Sequence, residues 1–138
     1  MAEQQQLLNE QFVQSFIERM VIARNSADAD KIAALCNEDV ILEETTRDDA
    51  LRGREELREF FGGLIRRRIE FTLELQGEPY LSLDATRAAA RWRGTGIAID
   101  GGRSYSFENV EIYEFENDQL SSWTMMFRDP DWMGRQVP

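Results

Sequence analysis

The sequence predicts an α+β fold, a cone-shaped, curved antiparallel sheet wrapped around three helices from the N-terminal half of the chain. Two observations carry this. Apolar residues recur at helical spacing in three stretches before residue 68, and from Ile69 onward the period falls to two. The stretch Arg103 to Arg128 then alternates strictly on either side of a turn signal, Asn117-Asp118, as one long hairpin. With 138 residues, 42% of them hydrophobic, the chain suits a single domain over residues 1–138 and leaves no room for a second.

Taken in order, Leu8, Phe12, Phe16, Ile17, Met20 and Val21 form the apolar stripe of a first helix over Leu7 to Arg24. Ser26 and Asp28 offer cap oxygens to a short second helix, Ala29 to Cys36, with Ile32, Ala33, Leu35 and Cys36 inward. Asp39 to Thr46 is the first strand; if Val40 and Leu42 face the core, Glu44 faces it too. The stretch TTRDDALRG is polar and reads as a loop. Arg54 to Arg67 forms the third helix, with Leu57, Phe60, Phe61, Leu64 and Ile65 inward. Gly62-Gly63 costs that helix roughly 1 kcal/mol per glycine, which close packing against a sheet would offset.

In the second half, Ile69, Phe71, Leu73 and Leu75 alternate with Glu70, Thr72, Glu74 and Gln76. Gly77-Glu78-Pro79 interrupts the strand, and Tyr80, Leu81 and Leu83 resume extended structure. Thr86 to Ile99 follows, with Trp92, Gly94 and Gly96 on one side and Arg91 and Arg93 on the other. The two glycines mark a bulge, or a wall left bare for a ligand; the bulge is the simpler reading. Asp100-Gly101 is a hairpin signal joining this strand to the final pair. The tail, Asp129 to Pro138, is too short for an element, and Trp132 and Met133 are expected to fold it back onto the body or into a partner subunit.

Composition removes several function classes. A formal net charge of −10 without a long basic run argues against nucleic acid or an anionic membrane surface as partner. Arg66-Arg67-Arg68, the one basic cluster, fits a helix C-terminus. No apolar run reaches the roughly 20 residues of a membrane span, and the N-terminus lacks the pattern of a signal peptide, so a cytoplasmic protein is expected. Cys36 is the single cysteine and no histidine is present. An intramolecular disulfide, a multi-cysteine zinc site and imidazole chemistry are thereby excluded, and neither metal nor cofactor is expected. Cys36 itself reads as a buried packing residue.

The final hairpin carries the candidate site. Tyr105, Phe107, Asn109, Glu111, Tyr113 and Phe115 share one face of its first strand, and Trp123, Met125 and Phe127 share one face of its second. In a sealed core Glu111 would cost several kcal/mol unless neutralised or paired, which points to a cavity. Pairing with Arg91 or Arg93 on the neighbouring strand is the competing explanation. Trp92, Tyr105, Phe107, Tyr113, Trp123, Met125 and Phe127, with Phe16, Met20 and Phe61 from the helices, would then wall a pocket for a flat hydrophobic ligand, or simply pack.

The segments DADKIAALCNEDVILEE, LRGREELREFFGGL and FENVEIYEFENDQLSSWTMMFRD resemble the nuclear-transport-factor-2-like superfamily, closest in texture to its SnoaL-like polyketide cyclase and ketosteroid isomerase branches. The resemblance covers nearly the whole chain and implies a cystatin-like α+β barrel. Carried over residue by residue, it implies Glu44 as the general base and Glu111 as a neutral acid donating to an oxyanion. Beside Glu111, Asn109 or a tyrosine would assist, though Asn109 could equally satisfy a bulge. Met20 stands where the isomerase's oxyanion tyrosine would be, a departure that counts against steroid isomerisation. For the epoxide-hydrolase branch, Arg91 or Arg93 could supply the arginine, but Thr95 and Met125 stand where the aspartates belong.

The expected function is cofactor-independent acid/base chemistry on a small hydrophobic, oxygenated molecule of polyketide or terpenoid type, by isomerisation, cyclisation or dehydration. Two alternatives stay open: a non-catalytic binding or dimerisation domain of the same fold, and an epoxide or lactone hydrolase using an activated water. Val110 and Ile112, between Glu108 and Glu114, suggest a homodimer through the outer sheet face.

Overall fold

The computed structural model describes residues 5–129. Its helices are α1 (Glu10–Asn25), α2 (Ala29–Ala33) and α3 (Arg54–Arg66). Its strands are β1 (Cys36–Glu44), β2 (Leu51–Arg52), β3 (Arg68–Leu75), β4 (Tyr80–Leu81), β5 (Arg87–Ala98), β6 (Ser104–Glu116) and β7 (Gln119–Phe127). They form one curved, unclosed sheet in the order β2-β1-β7-β6-β5-β3, with β4 also pairing β5. The α+β cone holds, and the helices cover its concave face. The sheet is mixed: β1 runs parallel to β7, while every other pairing is antiparallel. No turn joins β1 to β7, so no hairpin dictates their relative direction.

Local chemistry explains where the elements start. Asn9 Oδ1 accepts from Phe12 N at 2.8 Å, so α1 begins at Glu10, and Leu8, though buried, precedes it. Asp28 caps α2, which ends at Ala33; Leu35 O accepts from Leu120 N at 2.9 Å, and Cys36 passes into β1 instead of closing the helix. The stretch read as a loop contains β2: Leu51 and Arg52 pair with Leu42 and Ile41, and the apolar Leu51 side chain is buried. At the far end of α1, Asn25 acts as a substitute strand, donating to Leu73 O at 3.1 Å and accepting from Leu73 N at 2.7 Å.

The two glycine pairs behave differently from expectation. Gly62 lies beneath the Arg66 guanidinium, with Ala29 of α2 farther off, and Gly63 beneath that of Arg67, so the glycines of α3 face arginine side chains rather than the sheet. Gly94 and Gly96 do not mark a bulge in β5, whose register with β6 is continuous. A Cβ at Gly94 would lie 2.3 Å from the Phe107 ring, and one at Gly96 2.6 Å from the Tyr105 ring. The β6 aromatics lie flat across the bare backbone of β5. The irregularity sits on β3, between Arg68 and Glu70.

The Asn117-Asp118 turn is as read, both residues taking positive φ, 52° and 65°, as a two-residue turn requires. The β5–β6 connection is longer than Asp100-Gly101: it turns over residues 99–102, with positive φ at Gly101 and Gly102. Along β1, β5, β6 and β7 alternate side chains point inward, and Val40, Leu42, Trp92, Tyr113, Phe115, Leu120 and Trp123 meet Phe16, Met20 and Leu57 in the core. Cys36 is buried there, and burial pushes its thiol up to about 12. No helix among the described residues is long and apolar enough to cross a membrane. Trp132 and Met133 lie outside the described residues.

Candidate functional site

The strand register builds a polar cluster inside the aromatic core. Glu111, at the middle of β6, is 0% exposed. Asn109 and Tyr113 flank it on the same face, Met125 is its partner on β7, and Trp123 lies opposite Tyr113. Glu111 Oε1 accepts from the Tyr113 hydroxyl at 2.8 Å and from Trp123 Nε1 at 3.0 Å. Oε2 accepts from Asn109 Nδ2 at 3.0 Å, and Arg24 Nη1 reaches both oxygens at 3.2 Å. Trp92 Nε1 donates to the Tyr113 hydroxyl at 2.9 Å. All four of Glu111's neighbours donate and none accepts, so the group serves as a carboxylate paired with Arg24 rather than as a neutral acid. Burial, then the adjacent Glu111 charge, keep the Tyr113 hydroxyl well above its usual range, so it stays a donor.

Beside this cluster lies a cavity of about 190 Å³, walled by Phe60, Phe61, Phe71, Phe107, Met125 and Phe127. Glu44 from β1, Arg24 from α1, Arg67 from the end of α3, Arg68 from β3 and Tyr105 from β6 also line it. Glu44 is 6% exposed; its Oε1 accepts from Thr46 Oγ1, and its Oε2 has no hydrogen-bond partner among the described residues. A buried carboxyl oxygen left without a donor is costly to the fold and marks a place where another molecule can supply one. Arg24 lies within cation–π range of two rings, 5.2 Å from Phe61 and 5.5 Å from Trp123. Its Nη1 is engaged by Glu111 and, weakly, by Met20 Sδ at 3.9 Å. Arg68 lies 4.2 Å over Phe71 and donates to the Tyr105 hydroxyl. Burial lowers the pKa of Arg68 and raises that of Tyr105. A broader furrow of about 950 Å³ adjoins the cavity across Phe71, Tyr105 and Phe107, but it is open, its arginines Arg93 and Arg128 are exposed, and Glu70, Glu108 and Asp129 also line it.

The sequence matches the SnoaL-like domain over residues 17–123. This chain belongs to the SnoaL-like family. Among solved structures, the domain is similar to SalBIII, described as an epoxide hydrolase/cyclase-like enzyme in pyran ring formation in the polyether salinomycin. The two share 19% identity and a TM-score of 0.75 over 86% of this chain and 92% of that one. It is similar also to a Xanthomonas campestris protein classed as a polyketide cyclase, at 17% identity and a TM-score of 0.75 over 92% and 98% of the two chains. TsrD from Streptomyces laurentii shares 19% identity and a TM-score of 0.76 over 94% and 96%. No curated protein matches the sequence. At these identities the likeness establishes the SnoaL-like fold and leaves the chemistry to the residues.

Of the side chains expected at the site, this SnoaL-like domain brings Glu44, Phe61, Tyr105, Phe107, Met125 and Phe127 to one cavity. Glu111, Asn109, Trp92, Tyr113, Trp123, Met20 and Phe16 do not line it; they form the buried layer behind Arg24. Contrary to expectation, among the described residues Glu111 therefore does not line the hollow that holds Glu44; Arg24 and Met125, which do line it, are neighbours of Glu111. Arg91 and Arg93 alternate with Trp92 on β5, so they point outward and pair with neither carboxylate of the site. Sequence reasoning missed Arg24 and read Arg67 and Arg68 only as a helix terminus. Arg24 follows Met20 by one turn and Ile17 by two, so it extends the inward stripe of α1, a readable signal for a buried cation.

Proposed function

We propose that this SnoaL-like domain is a cofactor-independent acid/base enzyme acting on a small hydrophobic, oxygenated molecule by isomerisation, cyclisation or dehydration. The observation that carries it is Glu44 Oε2, buried and unpartnered in an aromatic cavity whose other buried charge is Arg24. Glu44 takes a proton from the carbon next to a carbonyl, and the electron pair moves onto the carbonyl oxygen. Arg24 faces that developing charge, and because Glu111 and the two rings hold its guanidinium in place, little reorganisation accompanies the reaction. Glu111 and Asn109 thus act through Arg24 instead of touching the substrate. For isomerisation the proton returns to another carbon of the same conjugated system and shifts a double bond. For cyclisation the enolate carbon bonds to a second carbonyl carbon of the same molecule, whose oxygen takes the proton; for dehydration a β-hydroxyl leaves with that proton as water.

A cavity of about 190 Å³ suits one ring or a short chain, so 3-cyclohexen-1-one is a fitting probe. Its isomerisation to the conjugated ketone, or deuterium exchange beside its carbonyl, reads the proposed proton transfer directly. Glu44→Gln should lose about 100-fold or more of that rate in a folded protein. Unchanged exchange in that variant would end the proposal.

A second reading uses the same Glu44 to activate a water that opens an epoxide or lactone. It is favoured by the description of SalBIII as epoxide hydrolase/cyclase-like and by the facing guanidinium. The proposal also takes a second copy of the chain as partner across the outer sheet face, where Val110 and Ile112 are half-buried and Met126 is 41% exposed. It assumes a cytoplasmic setting, in keeping with the lone reduced Cys36.

A further inference from the structure

We infer that the molecule accepted by the Glu44 cavity is an organic acid: one apolar ring or short chain bearing a carboxylate that Arg68 and Arg67 hold, with the reactive carbon against Glu44. This rests on the proposed use of that cavity and narrows its substrate class.

Charge balance is the main argument. Three guanidinium groups line the cavity against one carboxylate, Glu44. Arg24 is neutralised from behind by Glu111. Arg67 and Arg68 form no ion pair with any carboxylate among the described residues, in a chain that carries 26 acidic and 16 basic side chains. In such a chain, two unpaired arginines beside one apolar hollow leave a local positive field that an anion can satisfy.

Arg67 is exposed and Arg68 half-buried, and both guanidinium groups are positioned by neighbours. Arg67 Nε donates to Gly63 O at 3.1 Å, and its Nη2 lies near the bare Cα of Gly63, so the side chain folds back along α3. Arg68 is held over the Phe71 ring and by the neutral Tyr105 hydroxyl. Burial and the nearby Arg24 both disfavour its charge. A carboxylate offers what is missing: two acceptor oxygens and a countercharge.

The aromatic walls and the volume set the rest of the molecule. A cavity of about 150 Å³ is known to hold benzene, so about 190 Å³ admits a single ring with a short acidic arm.

Titration calorimetry on the full chain with phenylacetate and its neutral isostere phenylacetamide tests this. Phenylacetate should bind at least about tenfold more tightly. Arg67→Met/Arg68→Met should erase the difference while leaving phenylacetamide affinity unchanged, which also reports a folded cavity. Glu44→Gln, which removes a like charge, should leave phenylacetate binding intact or tighter. Equal affinities for the two probes, binding of neither at millimolar concentration, or a difference that survives in the double variant would overturn the inference. If acid selectivity holds while Glu44→Gln retains full proton transfer, the anion site stands and the proposed chemistry falls. The reverse pattern separates them the other way.

Discussion

Arg24 and Glu111, 87 residues apart in sequence, meet at 3.2 Å with side-chain exposures of 6% and 0%. The last turn of α1 is thereby locked to the middle of β6. Removing one member of such a pair leaves the other charge buried without a partner. Glu111→Gln should therefore cost about 3–5 kcal/mol of unfolding free energy, as should Arg24→Met. The double variant Arg24→Met/Glu111→Gln should be clearly more stable than the sum of the two losses implies. Urea denaturation of all four proteins measures this; additive losses would show that the pair is not coupled.

Gly94 and Phe107 make a second dependent pair, because a methyl group at position 94 would sit 2.3 Å from the ring. Gly94→Ala should destabilise by about 1–3 kcal/mol, as overpacking does. In a Phe107→Ala background the same change should cost much less. Thermal unfolding of the four combinations decides it, and an equal cost in both backgrounds would mean that the ring does not oppose the methyl.

Asp84 gives a pH signature. Its carboxylate accepts from the Ser82 hydroxyl at 2.8 Å, the Thr86 hydroxyl at 2.8 Å and Thr86 N at 3.1 Å, which hold it at about 2. A depressed folded-state value means that the charged form stabilises the fold above the ordinary value of 3.8, and that this is lost as the pH falls through about 2. Wild type should exceed Asp84→Asn in stability at neutral pH, with the gap closing between about pH 4 and 2. A gap constant over that window would contradict the assignment.

The outer sheet face gives a fourth test. If Val110, Ile112 and Met126 meet a second copy, Ile112→Lys should raise the dimer dissociation constant by about tenfold or more in sedimentation equilibrium, without altering the circular dichroism. A wild-type monomer, or an unaffected dimer, would refute that use of the face.

Much of the fold could be read because period and turn chemistry are local. The strict alternation of β6, the Asn117-Asp118 turn and the stripe of α1 each follow from residues close together in the chain. Glu44 could be placed inward for the same reason, by counting from Val40 and Leu42. The partner of Glu111 could not. Alternation showed a carboxylate in the core but not which cation crosses to meet it, and the neighbouring strand offered Arg91 and Arg93 while the long-range packing of α1 delivered Arg24. The parallel pairing of β1 with β7 was hidden likewise, since no short connection announces it. Nor did glycine spacing reveal why Gly94 and Gly96 are bare: the reason lies in the rings of Phe107 and Tyr105, one strand away.

Those two glycines have an evolutionary corollary. The space available to a guest is governed in part by positions 94 and 96, where the backbone leaves room for each aromatic plane to recline. A lineage that acquires a larger residue at 94 must shrink the ring facing it or surrender part of the chamber, whereas at 96 the Glu70 carbonyl, 2.7 Å from where a Cβ would lie, opposes the change whatever the ring. Positions 94 and 107 should accordingly drift in concert among homologues, resizing the guest without altering the carboxylate at 44.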